Sequence, residues 1–161
     1  MVRAPAFQAL LVALIGWTVP ADDVPAPSRE ETKATRDAVA QRLDTLHRQV
    51  RRDGKRFEAL EEAAQHRVRK RLKRLRYLAE FVAPLFDTAR AARYLARLEP
   101  AQDALGDFND DAVALATLRA MAAREPRAWF AVGWLSALRP GQARDCRRAL
   151  VRLGKARVFW K

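Results

Sequence analysis

The sequence predicts an all-α protein: an antiparallel four-helix-bundle unit over 66–161, preceded by additional N-terminal helices. Three observations carry this. No stretch sustains the period-two alternation of a half-buried strand. Ala, Leu, Arg and Glu, all good helix formers, dominate the composition. Apolar residues recur at helical spacing and are interrupted chiefly at Pro and Gly. With 161 residues, half of them hydrophobic, the chain has the length of one domain and enough apolar material for a core.

The elements follow in order. A first helical run covers 6–17, and the Pro-rich 18–28 connects it to the next. Ser28 with Glu31 three residues on is a capping-box signature, which opens a long helix to Phe57. The acidic stretch 58–65 is a short connection or runs on into the next helix. That helix spans 66–82 and stops before Pro84. A further helix covers 88–105, with Pro100 as a kink. Gly106-Asp107-Phe108-Asn109 reads as a break, with Gly106 at positive φ and Asn109 or Asp107 capping a helix over 110–124. Pro126 opens a helix to Leu138, Pro140-Gly141 reads as a turn, and a last helix starts at Gln142. The four tryptophans read mostly as core or bundle-end packing, with Trp160 closing the bundle. Cys146 reads as a small buried apolar residue.

Charge is the strongest functional signal. Thirty-one Lys and Arg stand against 19 Asp and Glu, a net charge of +12 with a pI near 11.1. Such an excess attracts nucleic acid, anionic lipid or phosphate polymers. It is concentrated in 66–77. At 100° per residue, His66, Arg69, Lys70, Lys73, Arg74 and Tyr77 fall on one helix face. Val68, Leu72, Leu75, Ala79 and Val82 fall on the opposite one. The same helix thus carries a core stripe and, back to back with it, a cationic stripe with no acid until Glu80. Like charges at i, i+3, i+4 and i+7 cost stability without a counter-ion, so the stripe reads as a surface for a polyanion.

The rest of the sequence narrows the chemistry. A single cysteine excludes an internal disulfide and a Cys-based zinc site, and His47 and His66 have no metal-ligand spacing. No carboxylate cluster, phosphate-cradling Gly loop or nucleophile–base pair is visible, which predicts neither enzyme nor cofactor. A weak internal repeat is present. Arg48, Val50, Arg52, Gly54 and Lys55 match Arg148, Leu150, Arg152, Gly154 and Lys155 in spacing, and each group follows an apolar helix ending Gly-Trp. Arg48, Arg52 and Lys55 share a helix face, as do Arg148, Arg152 and Lys155.

Three motifs stand in order in the second half. They are His66-x-x-Arg69-Lys70-x-x-Lys73-Arg74-x-Arg76-Tyr77, Leu98-x-x-x-Gln102-x-x-Leu105-Gly106-x-x-Asn109-Asp110, and Ala156-Arg157-Val158-Phe159-Trp160. This order resembles the CHAD family of histidine-containing α-helical domains. The resemblance implies two pseudo-symmetric helical bundles, each opening on its own His/Arg/Lys helix, and binding of inorganic polyphosphate. It assigns 66–161 to the second bundle and 1–57 to the tail of a first, with 58–65 between them. The first basic helix and the first Leu-Gly-x-x-Asn-Asp loop have no counterpart here.

The chemistry agrees with that implication. Polyphosphate carries oxygens on every side, Arg grips two at once, and Lys supplies a compact charge that follows a flexible chain. His66 to Arg74 spans about 12 Å of helix, enough for several phosphates. Arg48, Arg52, Lys55, Arg148, Arg152 and Lys155 would line the other walls of a basic channel, and Asp110 would pair with the stripe and orient it.

Three alternatives compete with polyphosphate binding. A nonspecific nucleic-acid binder fits the charge, but no stacking platform or groove-reading motif is visible. A phosphoryl carrier at His66 lacks an activating partner. A structural module would form a homodimer through the apolar N-terminal helices around 7–17. The chain is expected to be cytoplasmic with no membrane span; the alternative is export, with 1–21 as a signal peptide.

Overall fold

The computed structural model describes Ala9 and residues 28–161. The remainder of the 6–17 run, the 18–27 connector, the signal-peptide reading of 1–21 and the proposed dimer face lie outside the described residues. By contacts the chain forms two compact units, Met1–Ala34 and Thr35–Lys161.

Four α-helices and no strands are present among the described residues: α1 (Arg29–Gly54), α2 (Glu62–Val82), α3 (Thr88–Met121) and α4 (Ala128–Leu153). Single 3₁₀ turns at Phe57–Ala59 and Ala83–Leu85 join the first three. The start of α1 is the expected capping box. Ser28 N donates to Glu31 Oε2 at 2.8 Å, and Glu31 N donates to Ser28 Oγ at 3.1 Å. That bonding holds the Glu31 carboxyl below its usual range. Asp87 caps α3 by accepting from Arg90 N at 2.8 Å.

Within Thr35–Lys161 the helices pack antiparallel, as cross-helix contacts of falling against rising number show. Arg71 pairs with Asp53 between α1 and α2, and Arg42 and Leu46 share a surface with Phe81 and Arg74. Between α2 and α3, His66 meets Asn109 and Arg76 meets Gln102. Between α3 and α4, Asp111 meets Gln142 and Ala104 meets Cys146. The C-terminal segment then runs back along α1, with Arg147 on Lys55, Gly154 on Arg51, Trp160 on His47 and Lys161 on Asp44. Leu43, Leu46 and Val50 of α1 lie in one core with Val68, Leu72, Leu75, Ala79 and Val82, the apolar face expected of α2.

Two expected interruptions are absent. α3 runs unbroken through Pro100 and Gly106–Asn109, and α4 runs unbroken through Pro140-Gly141. No glycine among the described residues has positive φ, so Gly106 makes no turn and neither Asn109 nor Asp107 caps a helix. Packing overrides the local signals. Leu98, Ala101, Leu105 and Phe108 continue one buried stripe past Pro100 and Gly106, and Ala143, Cys146 and Leu150 do so after Pro140. Both prolines are exposed, on the side where a lost backbone bond is replaced by water.

The tryptophans also divide. Trp160 is buried, but Trp129 and Trp134 are 58% and 62% exposed, and Phe130 is 82% exposed; Trp17 lies outside the described residues. The cause is length. α3, with 34 residues, is about 50 Å long, and α2, with 21, about 30 Å. The tip of the α3–α4 hairpin extends past the start of α2, so its aromatics have no helix to cover them.

The repeat has a structural register. Leu43, Leu46, Val50 and Asp53 are buried on α1, and Ala143, Cys146, Leu150 and Leu153 are buried on α4 at the same spacing. The two helices cross at the repeat's glycines. A Cβ on Gly54 would stand 2.7 Å from Leu150 Cβ, and one on Gly154 would stand 2.9 Å from Arg51 Cγ.

At the foot of the core, His47 Nδ1 and Tyr94 Oη are hydrogen-bonded at 2.9 Å, and the Trp160 ring stands edge-on to both. Burial pushes the His47 pKa down; Arg51 and Lys161 add to this and Asp44 opposes it. The folded protein therefore binds fewer protons than the unfolded chain just below the ordinary histidine value of 6.5, and stability falls as pH falls through that window. We expect the melting temperature to drop between about pH 7 and pH 5.5, and His47→Gln to flatten that slope. An unchanged slope in the variant would assign the acid sensitivity elsewhere.

Candidate functional site

The cationic face of α2 does not act as one row. His66, Arg69 and Lys73 turn toward α3, while Arg74 and Tyr77 line a shallow surface with Arg42 and Phe81 on the α1 side. Lys70 is exposed between the two. The groove between α2 and α3 holds two cavities that share Arg69. One, of about 600 Å³, is lined by His66, Arg69, Phe108, Asn109 and Arg139. The other, of about 350 Å³, is lined by Arg69, Lys73, Gln102 and Gly106, with Asp103 and Asp107 beside them. Gly106 lines the second cavity, and nothing lies within 4 Å of where its Cβ would be.

His66 is oriented by a short relay. Asn109 Nδ2 donates to Asp110 Oδ1 at 3.3 Å, which fixes the amide so that Asn109 Oδ1 faces His66 Nδ1, also at 3.3 Å. An amide oxygen only accepts, so Nδ1 carries the proton and Nε2 is left for a ligand. Asp110 thus reaches the stripe through Asn109 and makes no ion pair with it. Further along, Arg76 Nη1 donates to Gln102 Oε1 at 2.6 Å and its Nε donates to Glu80 Oε1 at 2.7 Å. The Glu80 hydrogen bond raises the Arg76 pKa, and the same pairing spends its charge.

Arg139 is the site residue that sequence reasoning missed. Its guanidinium lies 4.4 Å from the Phe108 ring centroid, and its Nη1 is buried with no hydrogen-bond partner in the protein. A buried donor of a charged group left unpaired is costly, and Arg139 is one of the residues that line the 600 Å³ cavity. The signal was present in the sequence. With α4 continued through Pro140, Val132, Arg139, Ala143, Cys146 and Leu150 fall on one stripe, and an arginine on a core stripe is conspicuous.

The other expected channel residues are dispersed. Arg48 pairs with Asp44 at 3.2 Å, Arg52 pairs with Asp53 at 3.0 Å, and Arg148 pairs with Asp145. Asp53, 5% exposed, also holds Arg71 and Arg56, so the end of α1 is a structural ion-pair cluster. Lys55 is exposed, and Arg152 and Lys155 line a separate cavity at the α3–α4 end. Cys146 is fully buried, its Sγ 3.1 Å from Ala104 O, and burial pushes the thiol up to about 12, so it is packing material. No helix among the described residues is long and apolar enough to cross a membrane.

Comparison with known proteins adds one positive finding. The family model described as the CHAD domain matches residues 1–119 of the 161. The match takes in α1, α2 and nearly all of α3, including His66, Arg69, Lys73 and Asn109. No curated protein and no solved structure matches the chain.

Proposed function

Because the chain belongs to the CHAD domain family, we propose that it binds inorganic polyphosphate in the α2–α3 groove, without chemistry on the polymer. The observation that carries this is the convergence of Arg69, Lys73 and Arg139 on one groove with His66 at its head. Arg69 bridges the two cavities and would hold consecutive phosphates. Lys73 and the exposed Lys70 would follow the chain as point charges, and Arg139 would take an oxygen at the back of the groove. A protonated His66 adds a donor at Nε2, since Nδ1–H is engaged by Asn109. Phe108, the aromatic ring that lines the groove beside His66, is 6% exposed and lies against the Arg139 guanidinium, so it offers bases no free face for stacking. Within this reading, 66–161 is the family's second bundle, and 1–57 is the tail of a first.

The test is a titration with long-chain polyphosphate, with double-stranded DNA of equal charge as competitor. Four cations, Arg69, Lys70, Lys73 and Arg139, predict a salt slope near −3 by analogy with single-stranded nucleic acid, or roughly a 50-fold loss for a fourfold rise in salt. Arg69→Ala/Lys73→Ala is expected to weaken binding about 30-fold and to halve that slope. Equal competition by DNA, or an unchanged affinity in the double variant, would reduce the groove to generic charge.

A further inference from the structure

The strongest unassigned feature lies where the start of α3 meets the end of α4. Arg90, Arg93 and Arg97 stand at i, i+3 and i+7 on the first turns of α3. Arg152 lies in the last turn of α4, and Lys155 and Arg157 follow the helix. All six line one cavity of about 520 Å³, backed by Tyr94 and Val158, and no carboxylate lines it.

This arrangement differs from the rest of the molecule. Several arginines elsewhere pair with acids: Asp53 serves Arg52, Arg56 and Arg71, Asp44 serves Arg48, and Glu80 serves Arg76. The α2–α3 groove, where Arg69 and Arg139 are unpaired among the described residues, is also lined by Glu62, Asp103 and Asp107. In the α3–α4 cavity only Arg90 has an acid within 4.0 Å, Asp87 at 3.8 Å, and the other five have none among the described residues. The partial charge at the C-terminus of α4, about half an electron, accounts for one cation and not for three. Six like charges around a space smaller than a physiological Debye length of about 8 Å across its radius repel one another, and the low-dielectric walls focus their field inward.

We infer that this corner is a second anion site, separate from the α2–α3 groove, and that it takes a compact oligophosphate. Compactness follows from geometry. The cations approach one space from two elements, so a small anion with several charges meets both rows, whereas an extended chain meets one. Arginine supplies five of the six groups, and its planar fork suits terminal phosphates, which present two or three oxygens together. The inference rests on this cavity alone and stands or falls independently of polyphosphate binding in the groove.

The probe is inorganic tripolyphosphate, titrated calorimetrically into the full chain. Three double variants run beside wild type: Arg93→Ala/Arg97→Ala at the corner, Arg69→Ala/Lys73→Ala in the groove, and Arg124→Ala/Arg127→Ala, which removes the same charge at an exposed loop. All four corner and loop residues are exposed, so these variants should fold, and melting curves check that they do. The expected result is a tight site in wild type, weakened at least tenfold in the corner variant and changed less than about twofold in the loop variant, while the groove variant keeps that tight site and loses only the weaker binding of tripolyphosphate in the groove. Tripolyphosphate should also raise the melting temperature of wild type and lose that effect in the corner variant. No binding to wild type, or an equal loss in all three variants, would overturn the site. Long-chain polyphosphate added to the groove variant separates two sources. Competition with tripolyphosphate would show that the corner accepts chain ends, and its absence would restrict the corner to free oligophosphates; both require the site.

Discussion

Trp160→Ala is expected to lower the unfolding free energy by about 4 kcal/mol, within the range for removing a buried Trp side chain, and the melting temperature by roughly 10 °C. Trp160 is 5% exposed and packs edge-on against His47, Tyr94 and Phe159, with ring centroids 5.0–6.0 Å apart. Its loss would open a void where the C-terminal segment, α1 and α3 meet, and would expose the His47–Tyr94 hydrogen bond to water. Its indole Nε1 has no partner in the protein, so the variant forfeits packing and no hydrogen bond. Trp129→Ala is the control. That ring is 58% exposed, and its removal should change stability by less than about 0.5 kcal/mol. Chemical denaturation of both variants checks the pair, and similar losses in the two would mean that the C-terminal aromatics do not close the core.

Gly54→Val carries the second largest effect, a loss of about 3 kcal/mol, at the upper end of the usual cost of overpacking. The new Cβ would stand 2.7 Å from Leu150 Cβ, an atom fixed directly to the α4 backbone, so the helices must separate to admit it. Gly154→Ala meets Arg51 Cγ at 2.9 Å instead, on a flexible side chain that is exposed and free to turn away. That variant should lose less than about 1 kcal/mol. The contrast is measured by parallel thermal melts. If the two glycines prove equally tolerant, the α1–α4 crossing is looser than its geometry indicates.

The helical class, the core face of α2 and the capping box at Ser28 were legible because each is written in local spacing: 3.6-residue periodicity, or an i, i+3 pair. The helix ends were not. Gly106 and Pro140-Gly141 are breakers by propensity, yet the stripes Leu98–Leu105–Phe108 and Ala143–Cys146–Leu150 pass across them, and burial of those side chains outweighs costs of about 1 kcal/mol for Gly and about 3 for Pro. That misreading hid Arg139, which becomes visible only when α4 is continuous. The His66 stripe was legible as charge, but its division between two grooves depends on which neighbours flank α2. Those neighbours come from α1 and α3, far away in sequence, and local pattern does not encode their positions.

The ladder from Asp44–Lys161 to Gly54–Leu150 joins segments roughly 100 residues apart. α2, α3 and α4 are consecutive and need only short connections to dock, so they are the fast part of folding. Closing α1 onto the C-terminal segment carries the largest loop-closure entropy and should set the slow phase. During synthesis at about 5–20 residues per second, α1 would leave the ribosome roughly 5–20 s before its mate. For that interval the flank of α1 that meets the C-terminal segment, at His47, Val50 and Gly54, stays uncovered, which makes the nascent chain a client for a chaperone that shields one amphipathic helix.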